Sequence, residues 1–365
     1  WSHNRVEGKR EYTSLLFVPS TPPFDLWNRE SPKGVKLYVQ RVFISDEATQ
    51  FLPLYLRFVR GVVDSNDLSL NVSREVLQQD PNVAAIKGAL TKRVLDLLAR
   101  MARDDAGKYA TFWESFGTVL KEGVVEDPAN REKIAALLRF NSTQSEETAA
   151  DRSLDDYIGE DEDARETIYY LTADSPAAAR VSPHLEGLRE RGIEVLLLTE
   201  RIDEWVMQHL TEYRGKSFRD VSRGELDLGD EEPKIRGEEA TKDQKQLLKK
   251  IKRVLKDRVD EVRASERLRE SAACLVFKEN ELGYQMRELL KAAGHEAPDD
   301  APSLEVNLSH PLISALDGES DDERFEMLAN VVLEQAILVE GQSLSDPSAF
   351  VQRVNRLILS ENARD

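Results

Sequence analysis

Two apolar stripes at helical spacing constrain this chain more than any other feature. Ile86, Leu90, Val94, Leu97, Leu98 and Met101 recur with the 3.6-residue period of an α-helix, and Tyr109, Phe112, Trp113, Phe116 and Leu120 repeat the pattern. Stripes of this width are helices facing a core rather than a cofactor box. Such helices need an apolar layer to cover. Tyr12 to Pro19 and Val35 to Ile44 are rich in β-branched and aromatic residues, and a Pro/Gly-punctuated loop separates them, so both are predicted strands.

The remainder divides by composition. Ser45-Asp46-Glu47 gives a helix-start signal, with Leu52, Leu56 and Val59 near helical spacing, and Pro81 marks a break. The acidic, Ser/Thr-rich stretch Ser142 to Asp163 reads as a surface linker. Ile168 to Thr172, a helical stretch over 177–191 and Ile193 to Thr199 have the spacing of a parallel βαβ unit, and a helix is predicted over Asp203 to Tyr213. The polar run from Arg214 to Lys242 is the best domain boundary. A strongly charged helix, Asp243 to Lys256, opens the last part. Val259 to Arg263 and Cys274 to Lys278 are candidate strands. Asn280 to Ala293 and Asp321 to Glu340 are amphipathic helices. Asp346-Pro347 caps a final helix through Leu359. Phe350, Val354, Leu357 and Ile358 line one face of it, which must dock on its own domain or on a second copy.

Composition excludes several classes. The 365 residues allow two or three domains. With 50 basic against 68 acidic residues the net charge is −18, which repels phosphate backbones and argues against nucleic-acid binding. No apolar run reaches a membrane span and no signal peptide is present, so a membrane partner is not expected. The single Cys274 rules out an internal disulfide and is expected to be a buried, inert thiol in a reducing compartment. His3, His184, His209, His295 and His310 do not sit at a metal-ligand spacing, so no metal is expected. Arg214-Gly215-Lys216-Ser217 ends like a P-loop, but Leu210 stands where the first glycine belongs. The βαβ unit carries Thr172-Ala173-Asp174-Ser175-Pro176 where a nucleotide site would need a glycine-rich turn. The chain starts at Trp1 within sequence that reads as folded, so it is expected to be a fragment.

One segment suggests chemistry. In Leu68-Ser69-Leu70-Asn71-Val72-Ser73-Arg74-Glu75-Val76-Leu77-Gln78-Gln79, Ser73 can cap a helix. Arg74 then falls in the first turn, with Gln78 one turn on along the same face. A guanidinium held there can address a phosphate or can simply pair with an acidic neighbour.

This stretch resembles the middle domain of the heat-shock protein 90 chaperones, in particular the bacterial high-temperature protein G type. So do Trp1-Ser2-His3-Asn4-Arg5-Val6-Glu7-Gly8-Lys9, Val35-Lys36-Leu37-Tyr38-Val39-Gln40-Arg41-Val42-Phe43-Ile44, the run from Tyr55 to Asp64, and Gly192 to Leu198. The resemblance runs the length of the chain and is weakest near 220–265. It implies a multi-domain α+β fold: a three-layer α/β part of a middle domain (1–125), a helical connector with an acidic linker (126–165), a second small α/β part (166–235) and a C-terminal α/β domain with a helical dimerisation interface (236–365). The N-terminal ATP-binding domain would be absent.

By the same resemblance, Arg74 reaches the terminal phosphate of ATP bound with Mg in that missing domain, beside Gln78. Phe24, Leu68 and Leu70 match positions that dock it, although ordinary core is an equal reading for them. Glu204, Trp205 and Gln208 match a client-binding segment, and Met286, Leu289 and Leu290 an exposed client-binding helix; core packing is the other reading of both. Phe350, Val354, Leu357 and Ile358 would pair with a second copy. The implied protein is a cytoplasmic, ATP-hydrolysing homodimer that binds unfolded or partly folded clients and works with other bacterial chaperones. The fragment alone would hold no cofactor. An ATP-independent holdase or a structural dimerisation module stays open as the alternative.

Overall fold

The computed structural model describes residues 1–7, 11–29, 34–68, 81–145, 150–159, 166–224, 241–279, 294 and 301–361. The chain is α+β and forms two compact units.

The first unit comprises residues 1–140, 150–164 and 205–215. Its sheet contains β1 (Ser2–Val6), β2 (Tyr12–Phe17), β3 (Val35–Val39), β4 (Val42–Ala48) and β5 (Arg60–Ser65), in the order β1-β2-β5-β3-β4. β3 and β5 run parallel and the other pairs antiparallel. Alternation sets the faces: in β2, Tyr12, Ser14 and Leu16 are buried while Leu15 and Phe17 are exposed. The two apolar stripes fold as α1 (Pro81–Asp104) and α2 (Ala106–Glu126). Asp105 caps α2 by accepting from the Lys108 N–H at 3.0 Å. Phe58, Phe112 and Phe116 stack at 5.0–5.6 Å between ring centres. Gly123 is required where α2 meets the preceding loop, because a Cβ there would lie 2.6 Å from the Tyr55 ring.

Three expectations need correcting here. Val35 to Ile44 is a hairpin and not one strand. Gln40 and Arg41 turn at φ 51° and 67° without a glycine. The neighbouring strand supports that turn, since the Gln40 N–H donates to the Ser65 carbonyl at 3.0 Å and the Arg41 N–H to Asp64 Oδ1 at 3.1 Å. Ser45-Asp46-Glu47 does not start a helix, because β4 continues through it. Pairing along β3 overrides a local capping signal that is weak on its own. Part of the acidic linker is packed structure. α4 (Leu154–Ile158; α3 is Arg131–Ala135) starts with a capping box between Ser153 and Asp156, and Leu154, Tyr157 and Ile158 are buried.

The second unit comprises residues 141–149, 165–204 and 216–365. β7 (Thr167–Thr172) and β8 (Leu196–Leu198) are parallel neighbours, as the βαβ spacing predicts. β6 (Asn141–Ser142) flanks β8, and β9 (Lys216–Asp220) runs parallel to β7. The crossover is not one helix: α5 (Pro176–Arg180) and α6 (Glu186–Glu190) are separated at Ser182-Pro183. Proline has no N–H to donate and disfavours helix at the residue before it. Further on come α8 (Lys242–Leu255), β10 (Val262–Ala264), β11 (Ala273–Val276), β12 (Ser303–Val306), α9 (Pro311–Asp317), α10 (Asp322–Val339) and α11 (Pro347–Glu361). Leu247, Ile251 and Leu255 of α8 pack with Leu275, Leu304, Val306, Phe325 and Val332 into one core. β12 lies between β10 and β11, and periodicity did not reveal it because four residues are too few to show a period. α7 (Asp203–His209) is shorter than predicted, since Glu212–Tyr213 is extended.

Candidate functional site

The site begins with a loop held from beneath. Arg57 is 4% exposed, and its Nε donates to the Leu26 carbonyl at 2.8 Å. The same guanidinium grips both oxygens of Glu122 on α2 at 2.6 Å in a bidentate pair. Leu26 is thereby fully buried, while Phe24 and Trp27 on either side of it stand 100% and 61% exposed. Phe24 therefore belongs to the surface and not to the core. Trp27 escaped the sequence reading because no spacing marks a lone loop aromatic. Leu68 is buried at 2% exposure, consistent with the core alternative. Leu70, Arg74 and Gln78 lie outside the described residues, as do Met286, Leu289 and Leu290.

α7 sorts its side chains sharply. Val206 is fully buried and Met207 nearly so, yet Trp205 between Glu204 and Val206 is 48% exposed. Glu204 is half-buried and Gln208 exposed. The His209 Nδ1 bonds the Trp205 carbonyl at 2.9 Å and closes the helix end. A half-exposed indole on a helix whose neighbours are core is a large apolar contact with little rotamer entropy to lose.

In the second unit, the last two helices are tied and then left apolar outside. Arg353 pairs with Glu334, which also lies 3.6 Å from Arg258. Leu357 packs on the core, and Phe350 and Val354 are half-buried. Ile358 is 55% exposed and is joined by Val351 at 53% and by Leu338 and Val339 on α10. Of these, Val351, Leu338 and Val339 were missed by the sequence reading. Val351 sits one heptad before Ile358, the signal that marks it as the same face.

A buried polar node underlies the same unit. Arg267 is 3% exposed and donates to Glu305 Oε2 (2.9 Å), the Val221 carbonyl (2.6 Å) and the Gly224 carbonyl (2.8 Å). Arg263 and Ser265 complete the Glu305 carboxylate at 2.9 Å each. His184, fully buried, bridges Arg267 (3.4 Å from Nδ1) and Glu340 (2.8 Å from Nε2). The node joins β9 and its following turn to the β10–β12 sheet. Cys274 is fully buried and burial pushes its thiol well up, so it is no nucleophile.

Glu186 adds a second tie. Partial burial pushes its carboxyl up, but the Ser271 hydroxyl and the N–H groups of Arg269, Glu270 and Ser271 all donate to it and hold it below the usual carboxylate range. A lowered folded value stabilises above the unfolded glutamate value near ~4.3 and is lost as pH falls through the folded value. Urea melts should therefore show Glu186→Gln less stable than wild type near neutral pH. The gap should narrow below roughly pH 4. A gap that persists unchanged in acid would assign it to packing.

Among the described residues no helix is long and apolar enough to cross a membrane. A family model described as Hsp90 protein matches residues 1–364. The match runs over both units, and the chain belongs to the Hsp90 family of chaperones.

Proposed function

We propose that this chain is the client-handling and dimerising portion of an ATP-dependent chaperone. The observation that carries the reading is Trp205, half exposed on a helix whose adjoining Val206 and Met207 are core. Glu204 and Gln208 flank it as a polar rim, and Met286, Leu289 and Leu290 form a second client contact. Clients are unfolded or partly folded proteins, whose exposed apolar side chains match an indole and flexible methionine. ATP with Mg binds in an N-terminal nucleotide domain of the whole protein. Arg74 reaches its terminal phosphate, supported by Gln78, while Phe24 and Leu70 dock that domain and the buried Leu68 supports their loop from the core. The cytoplasm is the expected compartment, and other bacterial chaperones are expected partners.

Trp205→Arg combined with Met286→Lys tests the client surface. Capture of a chemically unfolded substrate should weaken on the order of tenfold or more, the scale of losing an aromatic anchor. Unchanged capture by a variant with wild-type circular dichroism would remove both residues from that role.

The exposed face of Val351 and Ile358 dimerises with its copy in a second chain, joined by Phe350, Val354 and Leu357. A stable pair raises the effective concentration of the two nucleotide arms. Val351→Glu with Ile358→Glu would bury two unpaired carboxylates in that contact. Sedimentation velocity should then show monomer at concentrations where wild type is dimeric. A dimer that survives both changes places the contact elsewhere.

A further inference from the structure

α8 carries a charge pattern that client binding and dimerisation leave unused. Residues 241–258 hold eight basic and two acidic side chains, a net +6 inside a chain of net −18. Six of the cations are exposed: Arg258, which lies against Glu334, and a set of five, Lys242, Lys245, Lys249, Arg253 and Lys256. None of the five side chains pairs with an acidic group among the described residues. Lys256 stands at the C-cap, where the backbone turns at φ 51°, so the four helical cations, spaced three, four and four residues apart, define the line and lie within about 80° of arc at 100° per residue. That arc lies opposite Leu247, Ile251 and Leu255, which are buried in the core. The result is a cationic rail about 16 Å long on the helix, with charges roughly 4.5–6 Å apart along the axis.

Helix stability does not account for the rail. Like charges three and four residues apart repel, and two lysines lie in or next to the first turn, where the helix dipole opposes cations. Solubility needs no single-sign line, since mixed charges serve it as well.

We propose that this rail binds an extended, acidic segment of a partner protein. Alternate residues of an extended chain repeat at roughly 6.6 Å on one face, close enough to the rail's spacing for lysine stems to follow. A thin chain meets the rail alone, whereas a wide duplex would also meet more of a chain whose net charge is −18. Single-stranded nucleic acid is disfavoured because residues 241–258 contain no aromatic side chain on which a base could stack. A lipid surface is disfavoured because the apolar face that would insert is already buried in the core.

The test is fluorescence anisotropy of the full chain with a labelled peptide of alternating Glu and Ser, about 14 residues long to overspan the rail. Binding should weaken steeply with salt. Lys245→Glu with Lys249→Glu and Arg253→Glu should weaken it by at least about tenfold, a loss read against unchanged helicity. Lys245→Arg with Lys249→Arg should keep it, and so should Trp205→Arg, which separates the rail from the client surface. Should charge reversal unfold the chain, Lys245→Gln with Lys249→Gln replaces it, with a loss of several-fold expected. Peptide binding that ignores these changes, or no peptide binding at low salt, overturns the proposal. A labelled oligothymidine of equal charge bound about tenfold more tightly than the peptide overturns it in favour of nucleic acid.

Discussion

Glu305→Ala should destabilise the second unit by about 3–5 kcal/mol, the range for removing one partner of a buried ion pair. Arg267 is 3% exposed, and without Glu305 its charge would be held in the core with carbonyls as its main polar contacts. Those carbonyls belong to Val221 and Gly224, so the loss would be felt on both sides of the node. The Arg263 guanidinium and the Ser265 hydroxyl would lose an acceptor too. The midpoint of urea unfolding, followed by circular dichroism, checks it. Arg267→Met with Glu305→Leu is the informative companion: removing both charges at similar volume should recover much of the loss. A single substitution costing under about 1 kcal/mol would show that water reaches the node, as for an exposed pair.

Much of this fold is legible where side-chain periodicity is long. Twenty-four residues of α1 display their stripe many times over, and the buried set Ile86, Leu90, Val94 and Leu98 follows it. The βαβ unit is legible for a similar reason, since its two apolar runs sit at crossover distance. What failed depends on partners distant in sequence. The Gln40–Arg41 turn exists because residues 64 and 65 supply acceptors. α4 is acidic and short, and only its buried Leu154, Tyr157 and Ile158 reveal that it is packed. The Arg267–Glu305–His184 node links positions over a hundred residues apart, and no local pattern announces such a meeting. The candidate site divides in the same way. Resemblance pointed to Trp205, but whether it faced core or solvent needed the burial of Val206 and Met207 around it. Phe24 matches a docking position by resemblance and Trp27 carries no such signal, while the burial of Leu26 under its Arg57 anchor and the exposure of both aromatics place them on the surface.

The most direct test concerns Arg74. The protein joined to a nucleotide-binding domain of its family should hydrolyse ATP, and Arg74→Ala should lower turnover at least about tenfold, or ~1.4 kcal/mol of barrier. Tenfold is a floor, because arginines that meet a transferring phosphoryl group are worth about 10³–10⁵ elsewhere. Nucleotide affinity should be retained, since the guanidinium acts on charge that develops only in the transition state. Reduced turnover at unchanged affinity is the outcome expected of a split-site chaperone ATPase. Undiminished turnover by Arg74→Ala would contradict it and leave this chain as a dimerising scaffold that holds clients without drawing on ATP.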